Sequence, residues 1–320
     1  GTMGARLEDQ ICRSRKILQN PYAYLDAEWG YDALPSDKTL NVHEARRVLQ
    51  NQYAYLDEDG EYSGYPYGND STTPNVPLIN PFHINPQKKE KQFYSRKAIE
   101  RIARKLQREL WLTRKDLFPA RREIGAIDVL DPTLALESLG YSVQIEESLG
   151  QYSANRELFE VAGIINNSSE QVQISRRFSP VIRNFTTAHE LGHAVLHQGS
   201  GLHRDRALDG SPNSRAKDNN ETEADIFAAY FLLPAKLVKA AFQKVFLTQT
   251  FVLEEDTAFA LMSESVESLQ NRCRTLRDLT RILASAERYN GVQVTSLANQ
   301  FKVSAEAMAI RLEELDLVHK

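Results

Sequence analysis

The most constraining stretch of this chain is residues 184–197, NFTTAHELGHAVLH. It places three of the chain's seven histidines four residues apart, at His189, His193 and His197. Residues at i and i+4 project from the same face of an α-helix, so the imidazoles of His189 and His193 can reach one ion. Glu190 follows the first of them, where its carboxylate can act as a base toward an attacking water. The pattern predicts a helix that binds a metal ion, with Zn²⁺ as the ion it suits best.

A second acidic helix can complete this site. The segment ETEADIFAAY at 221–230 places Glu221 and Asp225 four residues apart, so both carboxylates lie on one face. A catalytic zinc needs a third protein ligand, and we expect Glu221 to provide it. Asp225 is expected to accept a hydrogen bond from the far nitrogen of a ligating histidine. Glu223 points about 160° away from Asp225 and is the weaker alternative to Glu221.

Two further histidines and one glycine lie close to the motif. His197 is about 80° around an ideal helix from His189, so we expect a packed or hydrogen-bonded side chain there instead of a metal ligand. His203 falls in a polar segment and is expected to be solvated, with oxyanion stabilisation as the alternative. Gly192 is expected to mark a close approach of neighbouring structure to the helix. The sequence does not identify the group that stabilises the oxyanion.

Hydrophobic periodicity predicts an α+β fold, with a small mixed sheet packed on the two metal-bearing helices. The expected elements are an amphipathic helix over 93–115, a short helix over 133–141, strands over 142–148, 162–167 and 171–177, a helix over 186–198, a polar loop over 199–220, a helix over 221–234, and a helical pattern from there to residue 320. We therefore place the core with the predicted metal site at 91–240 and a helical C-terminal region at 241–320.

The N-terminal part has a different character. RKILQNPYAYLDAEWGY at 15–31 returns as RRVLQNQYAYLDEDGEY at 46–62, an internal duplication. Two copies are too few for a solenoid. We interpret residues 3–62 as a possible regulatory region built on a duplicated helix and aromatic unit, and residues 63–90 as a proline-rich linker.

Composition and charge indicate the cellular compartment and the kinds of partner to expect. The two cysteines are too few for a disulfide framework and favour a reducing cytoplasm. No apolar run approaches the roughly 20 residues of a membrane span, so no membrane partner is expected. The net charge of −4 favours no global nucleic-acid binding. The local exception is segment 88–122, with thirteen Lys or Arg against four Asp or Glu. A solvated helix face is the main interpretation, and contact with DNA phosphates is the alternative.

Cys12 has two interpretations. An isolated cytoplasmic cysteine is usually a small buried hydrophobic residue. Because Cys12 precedes a predicted zinc site, its thiolate is also a candidate inhibitory group that could occupy the open metal position and keep the site latent.

The segments RNFTTAHELGHAVLH and ETEADIFAAYFLLP together resemble the ImmA/IrrE metallopeptidases, and SLANQFKVSAEAMAIRLEELDLV is similar to their closing helix-turn-helix. The resemblance covers roughly residues 95–318. It implies a zincin-like domain with zinc ligands at His189, His193 and Glu221, a catalytic base at Glu190, and a helix-turn-helix-like unit at 296–318. The second helix of that unit carries three glutamates and one arginine, which favours a structural or substrate-docking role over base reading.

The resemblance also implies a function. We expect a zinc-dependent endopeptidase that cleaves a helix-turn-helix transcriptional repressor and so induces stress, mobile-element or phage-defence genes. The alternative is a DNA-binding or DNA-sensing regulator on a metallopeptidase scaffold, although a purely structural metal site would have no need of Glu190. A combination of the two would make single-stranded DNA the activator, bound through segment 88–122.

Overall fold

The computed structural model describes residues 94–154, 157–197, 202–205 and 219–320. The duplicated unit, the proline-rich linker, the N-terminal region 3–62 and Cys12 lie outside these residues. Among the residues that the structure describes, no helix is both long enough and apolar enough to cross a membrane.

The described helices and strands alternate in the first half of this region, and helices dominate the second. The helices are α1 (Arg96–Leu112), α2 (Arg114–Leu117), α3 (Pro132–Ser138), α4 (Pro180–Leu196), α5 (Asn219–Leu232), α6 (Ala235–Phe246), α7 (Glu255–Met262), α8 (Val266–Arg272), α9 (Leu276–Ser285), α10 (Leu297–Phe301) and α11 (Ala305–Glu314), with a 3₁₀ turn at Ala126–Val129. The strands are β1 (Ser142–Glu146), β2 (Gln151–Ala154), β3 (Glu157–Glu160), β4 (Gly163–Asn166), β5 (Gln171–Ser175), β6 (Leu202–Asp205), β7 (Phe251–Val252), β8 (Arg288–Tyr289), β9 (Val292–Gln293) and β10 (Val318–His319).

Four strands form a mixed sheet in the order β1-β5-β4-β6. β1 and β5 are parallel, whereas β4 is antiparallel to both β5 and β6. Alternation along β5 turns Val172 and Ile174 into the core, and Ile165 of β4 is buried with them. Helix α4 packs against β4 and β5, and α3 packs against α4 and β1. The predicted α+β class and small mixed sheet are confirmed.

Helix α4 begins earlier than predicted, at Pro180 instead of 186. Ser179 precedes it with extended backbone, and proline is well suited to the first helical position because its missing N–H has no helical partner there. The early start extends the buried face of α4, whose residues from Phe185 to Leu196 are all buried.

Two predictions of secondary structure were wrong in part, one for the loop 199–220 and one for the helical C-terminal region. The predicted loop 199–220 contains strand β6, which pairs with β4. Its sequence, LHRD, has no apolar alternation that would have predicted a strand. The region after residue 234, predicted as helical to residue 320, also contains two small sheets, β7 with β10 and β8 with β9. The hairpin of β2 and β3 between the first two sheet strands had not been predicted.

Helix α1 confirms the amphipathic pattern and packs against α5. Its buried apolar residues are Ile99, Ala103, Leu106, Leu110 and Trp111. Gln107, also buried, donates hydrogen bonds from its side-chain amide to the carbonyl oxygens of Tyr230 and Phe231, at 2.9 Å each. These carbonyls belong to the last turn of α5, where helical partners run out. Much of the basic segment 88–122 therefore lies on a helix that is packed into the fold.

The C-terminal helices are joined by a charged cluster. Arg277 of α9 donates hydrogen bonds to both carboxylate oxygens of Glu313 and to Glu306, both on α11. Arg281 also donates to Glu306. Two of the three glutamates on α11 are therefore held against α9. The helix-turn-helix-like character of this region stays a prediction.

Helix α11 is also anchored to the end of α5. The Arg311 side chain is buried, and its Nε donates to the carbonyl oxygen of Leu233 at 2.9 Å. Its guanidinium lies 4.8 Å from the centre of the Tyr230 ring. A buried cation at the end of α5 is favourable because the carbonyl end of a helix carries partial negative charge.

We predict that Arg277→Met lowers the free energy of unfolding by roughly 1.5–3 kcal/mol, the range for hydrogen bonds to charged groups. Hydrogen bonds from Arg277 hold the pKa of Glu313 below its ordinary 4.5, and those from Arg281 and Arg277 do so for Glu306. A carboxylate with a lowered folded-state pKa stabilises above its unfolded pKa, and that stability is lost as pH falls through the folded pKa. Chemical denaturation should therefore show the largest loss above pH 4.5.

Arg274→Met is the matched control, since Arg274 is exposed and precedes α9 by two residues. An equal loss in the two variants, or a loss in Arg277→Met that does not shrink in acid, would contradict this account of the cluster.

Candidate metal centre

The centre forms where α4 and α5 pack against each other most closely. A side-chain carbon at Gly192 would lie 3.0 Å from both the Cα and the carbonyl oxygen of Ala224. This is tighter than most contacts of side-chain carbons, so a larger residue would press on the α5 backbone, and the close approach expected at Gly192 is present. The contact lies beside His193 on α4 and between Glu221 and Asp225 on α5, so it sets the spacing of the functional side chains.

Three donor atoms converge across this contact. The Nε2 atoms of His189 and His193 lie 3.0 Å apart. Glu221 places Oε2 3.2 Å from the first of these nitrogens and Oε1 3.4 Å from the second. Together the three residues form a group in which each offers one ligand atom within 4.8 Å of the others. The structure thus brings together the three predicted ligands, and their role as ligands stays a prediction.

Asp225 supports the first histidine. Its Oδ1 lies 2.8 Å from Nδ1 of His189. An ionised carboxylate can only accept, so Nδ1 of the ring donates, and Nε2 is left with its lone pair facing the other two donors. This is the contact predicted for Asp225, and it is the usual arrangement of a carboxylate behind a metal-binding histidine.

Glu223 lies on a different side of α5 from Glu221. Its Oε2 lies 2.9 Å from Nε2 of His197, and its Oε1 accepts a hydrogen bond from the backbone N–H of Tyr94 at 2.8 Å. The other ring nitrogen of His197, Nδ1, lies 3.0 Å from Nδ1 of His193. The expectation of a packed, hydrogen-bonded His197 is confirmed, and Glu221, not Glu223, contributes the carboxylate to the convergent group.

The burial of the site is uneven. The side chains of His189 and His193 are at most 1% exposed, whereas those of Glu221 and Asp225 are each 27% exposed. The imidazoles therefore line the floor of the centre, and α5 forms its solvent-facing wall. This leaves a direction from which a substrate could approach the three donors.

Glu190 lies one residue after the first histidine and is fully buried. Strand β4 passes directly beside it. A side-chain carbon at Gly163 of β4 would overlap Oε1 of Glu190 and would lie 2.9 Å from Cγ2 of Thr186. The glycine therefore gives the carboxylate its space. Sequence reasoning missed this role, because only the fold brings residue 163 next to residue 190.

The structure adds no support for the roles predicted for His203 and Cys12. His203 lies on β6 instead of in a loop, with its Cα opposite that of Ile165 in the strand register. Its proposed contribution to the oxyanion stays a prediction. Cys12 lies outside the described residues.

The donor set fits a metal ion. Two imidazole nitrogens that each lie roughly 2.0–2.1 Å from one tetrahedral zinc are about 3.3 Å apart, close to the arrangement of His189 and His193. Because the Asp225 carboxylate accepts the Nδ1 proton of His189, this ring presents the lone pair of Nε2 toward the Glu221 carboxylate. Lone pairs that meet without a proton between them repel, and a bound cation removes that repulsion. Two histidines and one glutamate are also a known ligand set for catalytic zinc.

A comparison with known protein families identifies the part of the chain that carries this group of residues. Residues 137–273 match the family described as IrrE N-terminal-like domain, Peptidase_M78. The matched segment contains all of the residues of the convergent group together with Glu190 and Asp225. This segment therefore carries a domain of the ImmA/IrrE type, as its motifs predicted. A search of curated proteins found no match to the chain.

We predict that Gly163→Ala destabilises the protein chiefly by displacing the Glu190 carboxylate, at a cost of roughly 1–3 kcal/mol for overpacking. The test is a double-mutant cycle with Glu190→Ala, in which chemical denaturation gives the free energy of unfolding of all four proteins. Removing the carboxylate should relieve most of the overlap, so Gly163→Ala should cost much less in the Glu190→Ala background. Additive costs would show that the contact with Glu190 is not the constraint at residue 163.

Proposed function

We propose that this protein is a zinc-dependent endopeptidase that cleaves a partner protein. The observation that supports it best is the convergence of the Nε2 atoms of His189 and His193 with the Glu221 carboxylate, next to a buried glutamate at position 190. The zinc identity, the endopeptidase activity and the zincin-like character of the core are proposals that go beyond the family assignment. The packing of α1 against α5 supports a core that begins near residue 91.

In this mechanism His189, His193 and Glu221 would hold the ion. When bound, zinc acts as a Lewis acid toward the scissile carbonyl and makes water a stronger nucleophile at neutral pH. Glu190 takes the proton from the attacking water and later gives it to the departing amine. Gly163 keeps the space in which this carboxylate works, and Asp225 holds the His189 ring in the required orientation.

The sheet suggests how a substrate would bind. β6 is the last strand on one side of the four-stranded sheet among the described residues, and its partner β4 carries Gly163 beside Glu190. Asp205 of β6 lies opposite Gly163 in the register. An extended peptide that adds to the outer edge of β6 would run about 4.8 Å from it, one strand away from β4. This geometry favours a flexible, extended segment of a partner protein as the substrate.

The family resemblance points to the class of partner. We propose a helix-turn-helix transcriptional repressor in the cytoplasm, whose cleavage would induce stress, mobile-element or phage-defence genes. A flexible segment of such a repressor would meet the requirement for an extended substrate strand. The structure of the C-terminal region is compatible with a docking role for α11, which packs against α9.

The alternative of a DNA-binding regulator has less support. The α11 glutamates 306 and 313 are paired with α9, and Arg311 is buried against Leu233. On the basic helix α1, desolvation lowers the pKa of Lys105 to about 8, with Glu109 acting in the opposite direction, so this side chain is a weakened partner for phosphates. Salt-sensitive binding of single- or double-stranded DNA that persists in Glu190→Gln would favour the alternative.

We predict that zinc-loaded wild-type protein creates new peptide N-termini in a cytoplasmic extract of its host, concentrated in one or a few proteins. Labelling and mass spectrometry of N-termini would measure them. The matched control is zinc-loaded Glu190→Gln, which keeps the size and the metal ligands but lacks the base, and it should reduce cleavage by roughly 10²–10⁴-fold. Identical N-termini in both samples would contradict the proposed peptidase activity.

A further inference from the structure

We propose that His197 and Glu223 are positioning residues for the metal centre. Together they fix the ring of His193 in the one tautomer whose Nε2 can bind a metal ion. This inference rests on the proposed metal site and assigns a role to two residues that the predicted mechanism leaves unused.

The Glu223 carboxylate determines which atoms donate in the hydrogen bonds from Glu223 through His197 to His193. The Glu223 carboxylate can only accept, so Nε2 of His197, 2.9 Å from Oε2, must donate its proton. In the neutral ring the other nitrogen, Nδ1, then carries a lone pair. That lone pair lies 3.0 Å from Nδ1 of His193, which must therefore be the donor in this contact. The one remaining nitrogen of His193 is Nε2, and it is left as a lone pair.

The lone pair that results is the one the centre needs. Nε2 of His193 faces Nε2 of His189 at 3.0 Å and Oε1 of Glu221 at 3.4 Å. In the opposite tautomer Nε2 would carry a proton in the position of the ion. With a neutral His197 ring the chain of contacts has a single polarity, and that polarity leaves Nε2 of His193 able to bind metal.

Glu223 is itself held in place. Its second oxygen, Oε1, accepts from the backbone N–H of Tyr94 at 2.8 Å. Burial, followed by the negative charge of Glu223, raises the pKa of the Tyr94 phenol. The side chains of Glu223 and His197 are only 7% and 6% exposed. Because water has little access to these groups, a lost partner is not readily replaced by solvent, and the orientation passes from one group to the next.

The two ligand histidines thus receive the same type of support by different routes. For His189 the carboxylate of Asp225 contacts the ring directly. For His193 the carboxylate of Glu223 acts through the intervening ring of His197. Glu221, Glu223 and Asp225 alternate along the first turns of α5, so one short segment provides a ligand and both supports.

The test compares His197→Asn with His197→Leu. The two replacements have nearly the same shape, but Asn carries a side-chain oxygen that is bonded to Cγ, as Nδ1 is in histidine, and can still accept from Nδ1–H of His193. Leu has no acceptor. Competition with a chelator of known affinity would give the zinc dissociation constant. We expect His197→Leu to weaken zinc binding by roughly 10–100-fold, the usual effect of removing a partner of a metal ligand, and His197→Asn to stay close to wild type.

The tautomer itself provides a readout that a general loss of packing would not change. In zinc-free protein labelled with ¹⁵N-histidine, long-range ¹H–¹⁵N spectra should show His193 protonated at Nδ1 in wild type and His197→Asn. In His197→Leu this preference should be lost. If both position-197 variants fold poorly, Glu223→Gln serves as the second variant. Its amide N–H₂ faces one of the two donors, so it should also weaken zinc binding and disturb the His193 tautomer.

The outcomes separate this proposal from the proposed function. Wild-type protein that binds no zinc would overturn the metal site and this inference together. Tight zinc binding by wild type, with equal affinities and an unchanged His193 tautomer in the Leu, Asn and Gln variants, would overturn this inference alone.

Discussion

The close contact between α4 and α5 is the constraint on which the site depends. Gly192 lets the backbone of α5 approach α4 at Ala224 to the limit of van der Waals contact. At this spacing the histidine side chains of α4 contact the carboxylates of Glu221 and Asp225 on α5. A larger spacing would separate Glu221 from the two Nε2 atoms and Asp225 from Nδ1 of His189. The candidate metal centre therefore depends on a pair of helices, not on the HExxH motif alone.

The far end of α5 is held from outside the family-matched segment. Gln107 of α1 satisfies the carbonyls of Tyr230 and Phe231, and Arg311 of α11 satisfies that of Leu233. Both helices lie beyond residues 137–273. Because buried carbonyls without partners are costly, these two side chains stabilise the end of α5. Helix α5, which carries Glu221, is thus positioned near its start by the contact with Gly192 of α4. At its end it is held by α1 and α11.

Much of the centre could be predicted from local spacing. The i, i+4 pairs on α4 and α5 depend only on helical geometry. Sequence spacing alone therefore predicted His189, His193, Glu221 and Asp225 as candidate site residues. The contact of His197 with His193 could not be foreseen in the same way. His197 ends the helix with φ −127°, so an ideal helical wheel no longer describes where its ring lies. Glu223 was weighed only as a ligand because its partners, His197 and Tyr94, are distant in sequence.

The same distinction applies to the fold. Strands with apolar alternation, such as β5, were predicted, whereas β6 depends on pairing with β4 and shows no periodicity of its own. The role of Gly163 beside Glu190 also arises only when β4 packs on α4. Structural features that depend on residues nearby in the sequence could be predicted. Features that depend on residues brought together only by the fold could not.

The central claim is that His189, His193 and Glu221 hold one metal ion. The most direct test measures the number of zinc sites at equilibrium with a buffered excess of free zinc, in wild type, Glu221→Ala and Glu223→Ala. The account predicts one site in wild type and in Glu223→Ala, and loss of the site in Glu221→Ala. A full site in Glu221→Ala, or none in wild type, would contradict it.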